Sequence, residues 1–141
     1  MDLSIRVQDT KINIRVAGLV KTAKGYLFEK SDNDYIFVIG GRVKLGESTR
    51  EAITREIKEE IGMNPEKLNL CSIVENFYIN NNEKVQELCF VYEINDIFTG
   101  IIPPEFIEVG VADISKYDVR PAPIVEILKN DKESFKHIIA R

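Results

Sequence analysis

Apolar and polar side chains alternate at the start of Ile12-Asn13-Ile14-Arg15-Val16-Ala17-Gly18-Leu19-Val20, and this period of two predicts a strand over 12–20. Lys24-Gly25 reads as a turn and Tyr26-Leu27-Phe28 as a second strand. Ser31-Asp32-Asn33-Asp34 is turn chemistry, after which Tyr35 to Ile39 forms a short apolar strand that runs into Gly40-Gly41. The period then changes. Ser48-Thr49-Arg50-Glu51 has the form of a capping box, Gly62 stands where a helix-ending glycine is expected, and Pro65 forbids continuation, so 48–61 is a helix. Strands are expected again over 69–79 and 84–94, joined by Asn80-Asn81-Asn82-Glu83. Residues 95–107, with two prolines and a glycine, read as a long loop, followed by a strand near 108–113. Apolar helix patterns close the chain at about 122–129 and 132–140. Mixed strands with few helices predict an α+β fold, a sheet covered by helices. With 141 residues and neither repeat nor linker, the chain suits a single domain, 1–141.

On the 48–61 helix, Ile53, Ile57 and Ile61 form a stripe roughly 80° wide, the expected core face. Glu56, Glu59 and Glu60 gather on the neighbouring face. Like charges three and four residues apart cost a helix about 0.2–0.5 kcal/mol per pair. A divalent cation turns that repulsion into ligation, because hard Mg²⁺ takes carboxylate oxygens and leaves positions for water and phosphate. A solvated acidic face, eased by Arg55 near Glu51 and Glu59, is the simpler reading of the helix alone.

The flanking residues change the balance. Gly41, Glu47, Arg55-Glu56-Ile57, Glu59-Glu60 and Gly62-Met63 resemble the Nudix box, G-x5-E-x7-R-E-U-x-E-E-x-G-U with U apolar, at every position. Seven fixed types at average usages of about 6% put a chance match below about one in a million. The resemblance implies an α/β/α sandwich around a mixed sheet, with the box as loop–helix–loop. It implies hydrolysis of a nucleoside diphosphate linked to another moiety, by water attack on phosphorus with Mg²⁺ or Mn²⁺ as cofactor. By the same likeness, Glu56, Glu59 and Glu60 match the metal-binding glutamates, and the Gly40 carbonyl a backbone ligand. Arg55 and Glu47 match a pair that steadies the loop and orients the glutamates. Family members take the general base from the box or from a later loop, so Glu59, Glu56, Glu105 and Glu108 are candidates; the last two are equally well read as solvated loop carboxylates. Two departures stand out: Ile39 replaces a proline common before the paired glycines, and no tryptophan occurs where Val111 lies. A catalytically silent Nudix-fold nucleotide sensor is the alternative, although all the box glutamates are present.

Outside the box, Arg42 and Lys44 are candidates to touch phosphate, or simply solubilising charges. Arg15 lies opposite the Ile12, Ile14 and Val16 face, toward a substrate groove or toward water. Phe77 and Tyr78 are candidates to stack on a base, or core aromatics. His137 has no catalytic assignment, and Gly40-Gly41 is no P-loop because G-K-[ST] is missing. A net charge of −4 argues against polymeric DNA or RNA but leaves small phosphorylated substrates open. Cys71 and Cys89 sit in apolar runs as expected of buried thiols, which with no secretory leader pattern suits a reducing cytoplasm. No apolar run reaches membrane-spanning length. Homodimers are frequent in the family, so a second copy is among the expected partners.

Overall fold

The computed structural model describes residues 1–130 and 134–141. Its strands are β1 (Ser4–Val7), β2 (Thr10–Val20), β3 (Tyr26–Lys30), β4 (Tyr35–Arg42), β5 (Leu68–Asn80), β6 (Glu83–Ile94), β7 (Phe106–Val109), β8 (Asp118–Arg120) and β9 (Lys136–Ala140). The α-helices are α1 (Thr49–Ile61) and α2 (Pro123–Lys129), and a 3₁₀ helix spans Val111–Lys116. The strands form one mixed sheet ordered β7-β3-β4-β2-β6-β5-β9, with β1 added to β2 and β8 to β4. β2 and β6 run parallel along the full length of β2, from Thr10↔Lys84 to Val20↔Ile94. β4 changes neighbours along its length: Ile39 to Arg42 pair with β2, whereas Tyr35 to Phe37 pair with β8.

α1 forms as its ends dictate. The Ser48 hydroxyl accepts from the Glu51 N–H at 3.1 Å, and the Glu51 carboxylate accepts from the Ser48 N–H at 2.7 Å. Gly62 closes the helix at φ 70°, its N–H donating to the Lys58 carbonyl. Ala52, Ile53 and Ile57 are buried and pack on β2 and β4. A Cβ at Gly18 would lie only 3.0 Å from the Ile53 Cδ1, so glycine there lets α1 sit close to β2.

Each sheet face carries its own core. Val16, Val20, Leu27, Ile39 and Phe106 pack with Ile53 and Ile57 beneath α1. Ala17, Leu19, Phe28, Val74 and Val91 pack with Ile124, Ile127 and Leu128 of α2 on the other face. The alternation Val16-Ala17-Gly18-Leu19 feeds both cores from one strand.

Three expectations need correction. The helix expected over 132–140 is instead β9 from Lys136 onward; of its remaining residues, 132 and 133 lie outside the described residues. The β-branched pair Ile138-Ile139 and the free edge of β5 decide for a strand, with Ser72 to Asn76 pairing parallel to Lys136 to Ala140. The strand expected near 108–113 runs Phe106–Val109, and the chain then turns into the 3₁₀ helix, which buries Ile114. The loop expected to reach 107 therefore ends at Glu105, because Phe106 already opens β7. β1 and β8, four and three residues long, had no periodic signal to announce them. Cys71 and Cys89 are buried outside any disulfide, and burial pushes the Cys89 thiol up to about 12. Among the described residues, no helix is long and apolar enough to cross a membrane.

Candidate functional site

The loop before α1 is held by one arginine. Arg55 donates from Nε to one Glu47 oxygen at 2.7 Å and from Nη2 to the other at 3.0 Å. Its Nη2 also reaches the Arg42 carbonyl at 3.2 Å, and its Nη1 reaches Glu56 at 2.9 Å and Glu59 at 3.3 Å. Glu47 in turn accepts from the Lys44 N–H at 2.9 Å. The guanidinium thus ties the loop end of β4, the 43–48 loop and two helix carboxylates into one unit. Hydrogen bonds from Arg55 hold the Glu47 carboxyl down at about 2, against a cost of burial.

The three helix glutamates have different surroundings. The Glu56 carboxylate lies against Gly41, where any Cβ would collide with it. Glu59 is over half exposed. Glu60 is partly buried, and its Oε2 is fully buried with no hydrogen-bond partner among the described residues. Burial first, then the charges of Glu29 and Glu56, push the Glu60 carboxyl up to about 8. Glu29 itself is raised by burial and then by Glu105 and Glu56.

Glu29 and Glu105 therefore join the helix cluster. Glu29 faces the α1 side because Leu27, two residues earlier on β3, packs in the core beneath α1. Glu105 precedes β7, and its carbonyl accepts from the Lys30 N–H at 2.8 Å, which brings it beside Glu29. Sequence reasoning missed Glu29. Its only signal was a charge that keeps the face of Leu27 in an apolar strand. Glu108 pairs with Leu27 on β7 and is not among the neighbours that raise Glu29.

A cleft of about 570 Å³ opens on the opposite face, where β2 and β8 part along β4. Arg15 and Ala17 of β2, Gly40 of β4 and Glu87 of β6 line it, with Tyr78 of β5 and Arg120 of β8. Gly40 thus belongs to the cleft and Gly41, its neighbour, to the helix carboxylates. Of the two aromatics considered for stacking, Tyr78 lines the cleft, and Phe77 does not: it lies under the Arg141 guanidinium, 4.3 Å from its ring centre. Arg42 and Lys44 are outside the lining, and Arg42 faces Asp2 at 3.8 Å. His137 is largely exposed and meets Glu75 at 2.6 Å. Tyr35, Phe37, Asp118 and Arg120 form the far end of the cleft, with Arg120 stacked 3.9 Å from the centre of the Tyr35 ring. None of these four was singled out from sequence: β8, which carries Asp118 and Arg120, gave no signal, and Tyr35 and Phe37 read only as residues of the apolar strand β4. Among the described residues no three His, Cys, Asp or Glu side chains converge as a ready metal cage; Arg55 draws Glu56 and Glu59 toward itself.

Residues 15–135 match the NUDIX domain. No curated protein matches significantly. Among solved structures, the chain is similar to the MutT protein of Bacillus halodurans at 18% identity and TM-score 0.71, over 90% of this chain and 86% of that one. It is similar to the Ap4A hydrolase of C. elegans at 18% identity and TM-score 0.61, over 84% and 94% of the two chains. An ADP-ribose pyrophosphatase of Streptococcus suis aligns at 11% identity and TM-score 0.60, over 89% and 98%. At these identities the neighbours speak for the fold, while the matched domain spans most of the sequence. The chain belongs to the Nudix family and has its α+β fold, a mixed sheet with a helix packed on each face.

Proposed function

We propose that the chain is a divalent-metal-dependent pyrophosphohydrolase that cleaves a nucleoside diphosphate linked to a second moiety. One observation carries this reading. The carboxylates of Glu29, Glu56, Glu59, Glu60 and Glu105 form a chain of neighbouring charges around α1 and β3, and Gly41, against which Glu56 packs, adjoins Gly40 in the wall of a cleft on the other face that is large enough for a nucleotide. A fold needs no such cluster for packing. The residues fit a hard cation, since they are all oxygen donors, carry excess negative charge, and include the unpartnered Glu60 Oε2.

Glu56, Glu59 and Glu60 would hold Mg²⁺ or Mn²⁺, with the Gly40 carbonyl as a backbone ligand. The bound ion supplies charge neutralisation at the pyrophosphate and a more acidic water. Arg55 and Glu47 hold the loop and aim Glu56. Glu105, an exposed carboxylate beside Glu29, would take a proton from water, with Glu59 as the rival base. Arg15 in the cleft wall, with Arg42 at the end of β4 and Lys44 in the loop after it, would supply positive charge for substrate phosphate.

The test is phosphate release, coupled to a pyrophosphatase or phosphatase, from a panel of nucleoside diphosphate derivatives with Mg²⁺, Mn²⁺ or chelator. Metal-dependent turnover of any member is the expected result. Nucleotide binding without turnover across the panel would replace the enzyme with the silent sensor module.

A further inference from the structure

We propose that Glu87 is a positioning residue that holds the Arg15 guanidinium on the cleft floor for an anionic group of the substrate; this rests on the nucleotide reading above. Glu87 pairs with Asn13 of β2 on one side and with Asn76 of β5 on the other, so a polar row crosses three strands. The same sheet face elsewhere carries core residues such as Ala17, Leu19, Val74 and Val91. Asn13 is 3% exposed and Glu87 6%. A carboxylate buried in a sheet costs stability unless it is paired, and an apolar side chain would serve packing better.

The surrounding bonds fix this carboxylate. The Ser4 hydroxyl donates to the Asn13 Oδ1 at 2.7 Å, which leaves the Asn13 amide to donate to the Glu87 Oε2 at 3.0 Å. Tyr78 of β5 lines the same cleft, and burial first, then the Glu87 charge, push its hydroxyl up to about 12. Ser4 of β1 and Asn13 of β2 thus fix one carboxylate of β6 at the cleft floor.

Arg15 is its only ion-pair partner among the described residues, with Nε 3.9 Å from the Glu87 Oε2. A charge-assisted hydrogen bond is shorter, about 2.7–2.9 Å. Glu87 therefore attracts and orients the guanidinium without consuming its N–H donors, and among the described residues no hydrogen bond takes them up. The Arg15 side chain is 37% exposed against 7% for Glu87, so the carboxylate is sheltered and the guanidinium remains accessible. In the pairing of β2 with β4, Ala17 opposes Gly40 and Arg15 opposes Arg42, so the guanidinium stands beside the paired glycines that join cleft and carboxylate cluster. An oxygen-rich anion such as a diphosphate is the ligand class that a planar set of N–H donors takes in that position.

The experiment is a double-mutant cycle on the full chain, with ADP and adenosine as probes in calorimetry. Glu87→Gln is expected to weaken ADP roughly tenfold and leave adenosine unchanged. In the Arg15→Ala background the same change is expected to add less than about twofold. Equal weakening of both probes, or full additivity of the two substitutions, would show a merely structural role and overturn the proposal. If Glu87→Gln does not fold, Glu87→Asp decides: it keeps the charge but draws Arg15 back, so ADP should weaken and adenosine should not, and any other pattern overturns the proposal. A parent protein that binds no ADP, GDP, UDP or CDP overturns the nucleotide reading and this proposal with it, whereas additive effects in a parent that does bind overturn this proposal alone.

Discussion

Arg55 and Glu47 face each other through two parallel hydrogen bonds, at 2.7 Å and 3.0 Å, eight positions apart in sequence. Such fork-to-fork pairing is stronger and more directional than a single contact. Its acid sensitivity follows from the depressed Glu47 carboxyl. A carboxyl lowered from 4.5 to about 2 contributes stability that is complete above the unfolded value and disappears as pH falls from 4.5 toward 2. Glu47→Gln should remove that contribution, on the order of 2 kcal/mol after allowance for solvent screening. Urea midpoints of parent and variant should converge as pH falls through this window. A constant gap from neutral pH down to about 2 would show that the ion pair contributes nothing of its own.

Glu60 has the opposite sign. Its carboxyl is raised from 4.5 to about 8, so between those values the folded chain binds the proton that the unfolded chain has released. Stability from this group therefore falls as pH rises through the window. In chelator, Glu60→Gln should flatten the slope and be at least as stable as the parent at neutral pH and above. Thermal midpoints across pH 4.5 to 8 check this. A variant clearly less stable at pH 8 would mean that the Glu60 carboxylate has a structural partner.

The box helix was legible because its signals are local. The Ser48 and Glu51 cap, the Ile53 and Ile57 stripe and the Gly62 stop all lie within one element, and all three appear in the structure. Glu29 and Glu87 were not legible for the converse reason. Each is one charge in an apolar strand, and its meaning comes from a residue far along the chain: Glu105 for Glu29, Asn13 for Glu87. The last strand was misread because Ile138-Ile139 suits helix or strand equally by periodicity, and only the unpaired edge of β5 settles it. Phe77 and Tyr78 were inseparable in sequence, since which of two adjacent strand residues meets the cleft depends on register.

The paired glycines should respond differently to alanine. A Cβ at Gly40 would run into the Val16 carbonyl, backbone of the neighbouring strand that cannot turn aside. Gly40→Ala should therefore cost about 3 kcal/mol or more, close to loss of the fold. At Gly41 the obstacle is the Glu56 carboxylate, the mobile end of a side chain. Gly41→Ala should keep the fold within about 1 kcal/mol and lower turnover at least about tenfold by moving Glu56 off its Arg55 bond. Denaturation and turnover measured on both proteins separate the two effects. Equal stability of the two variants would refute the backbone argument.

In the proposed reaction Glu59 and Glu105 are the two candidates to take the proton of the attacking water, and their settings predict different losses. Glu59 shares Arg55 with Glu56, and as a ligand it would lose metal affinity as well as turnover when neutralised. Glu105 lies outside the helix, and its charged neighbour in the cluster is Glu29. As the base, Glu105→Gln should lower turnover by about 10²–10⁴-fold with the Mn²⁺ dependence unchanged. Glu59→Gln should lower turnover by a similar order and raise the Mn²⁺ concentration needed for half-maximal rate. Titrating Mn²⁺ against rate in both variants distinguishes the roles. If Glu105→Gln keeps near-parental turnover, Glu105 is a solvated loop residue and the base returns to Glu59.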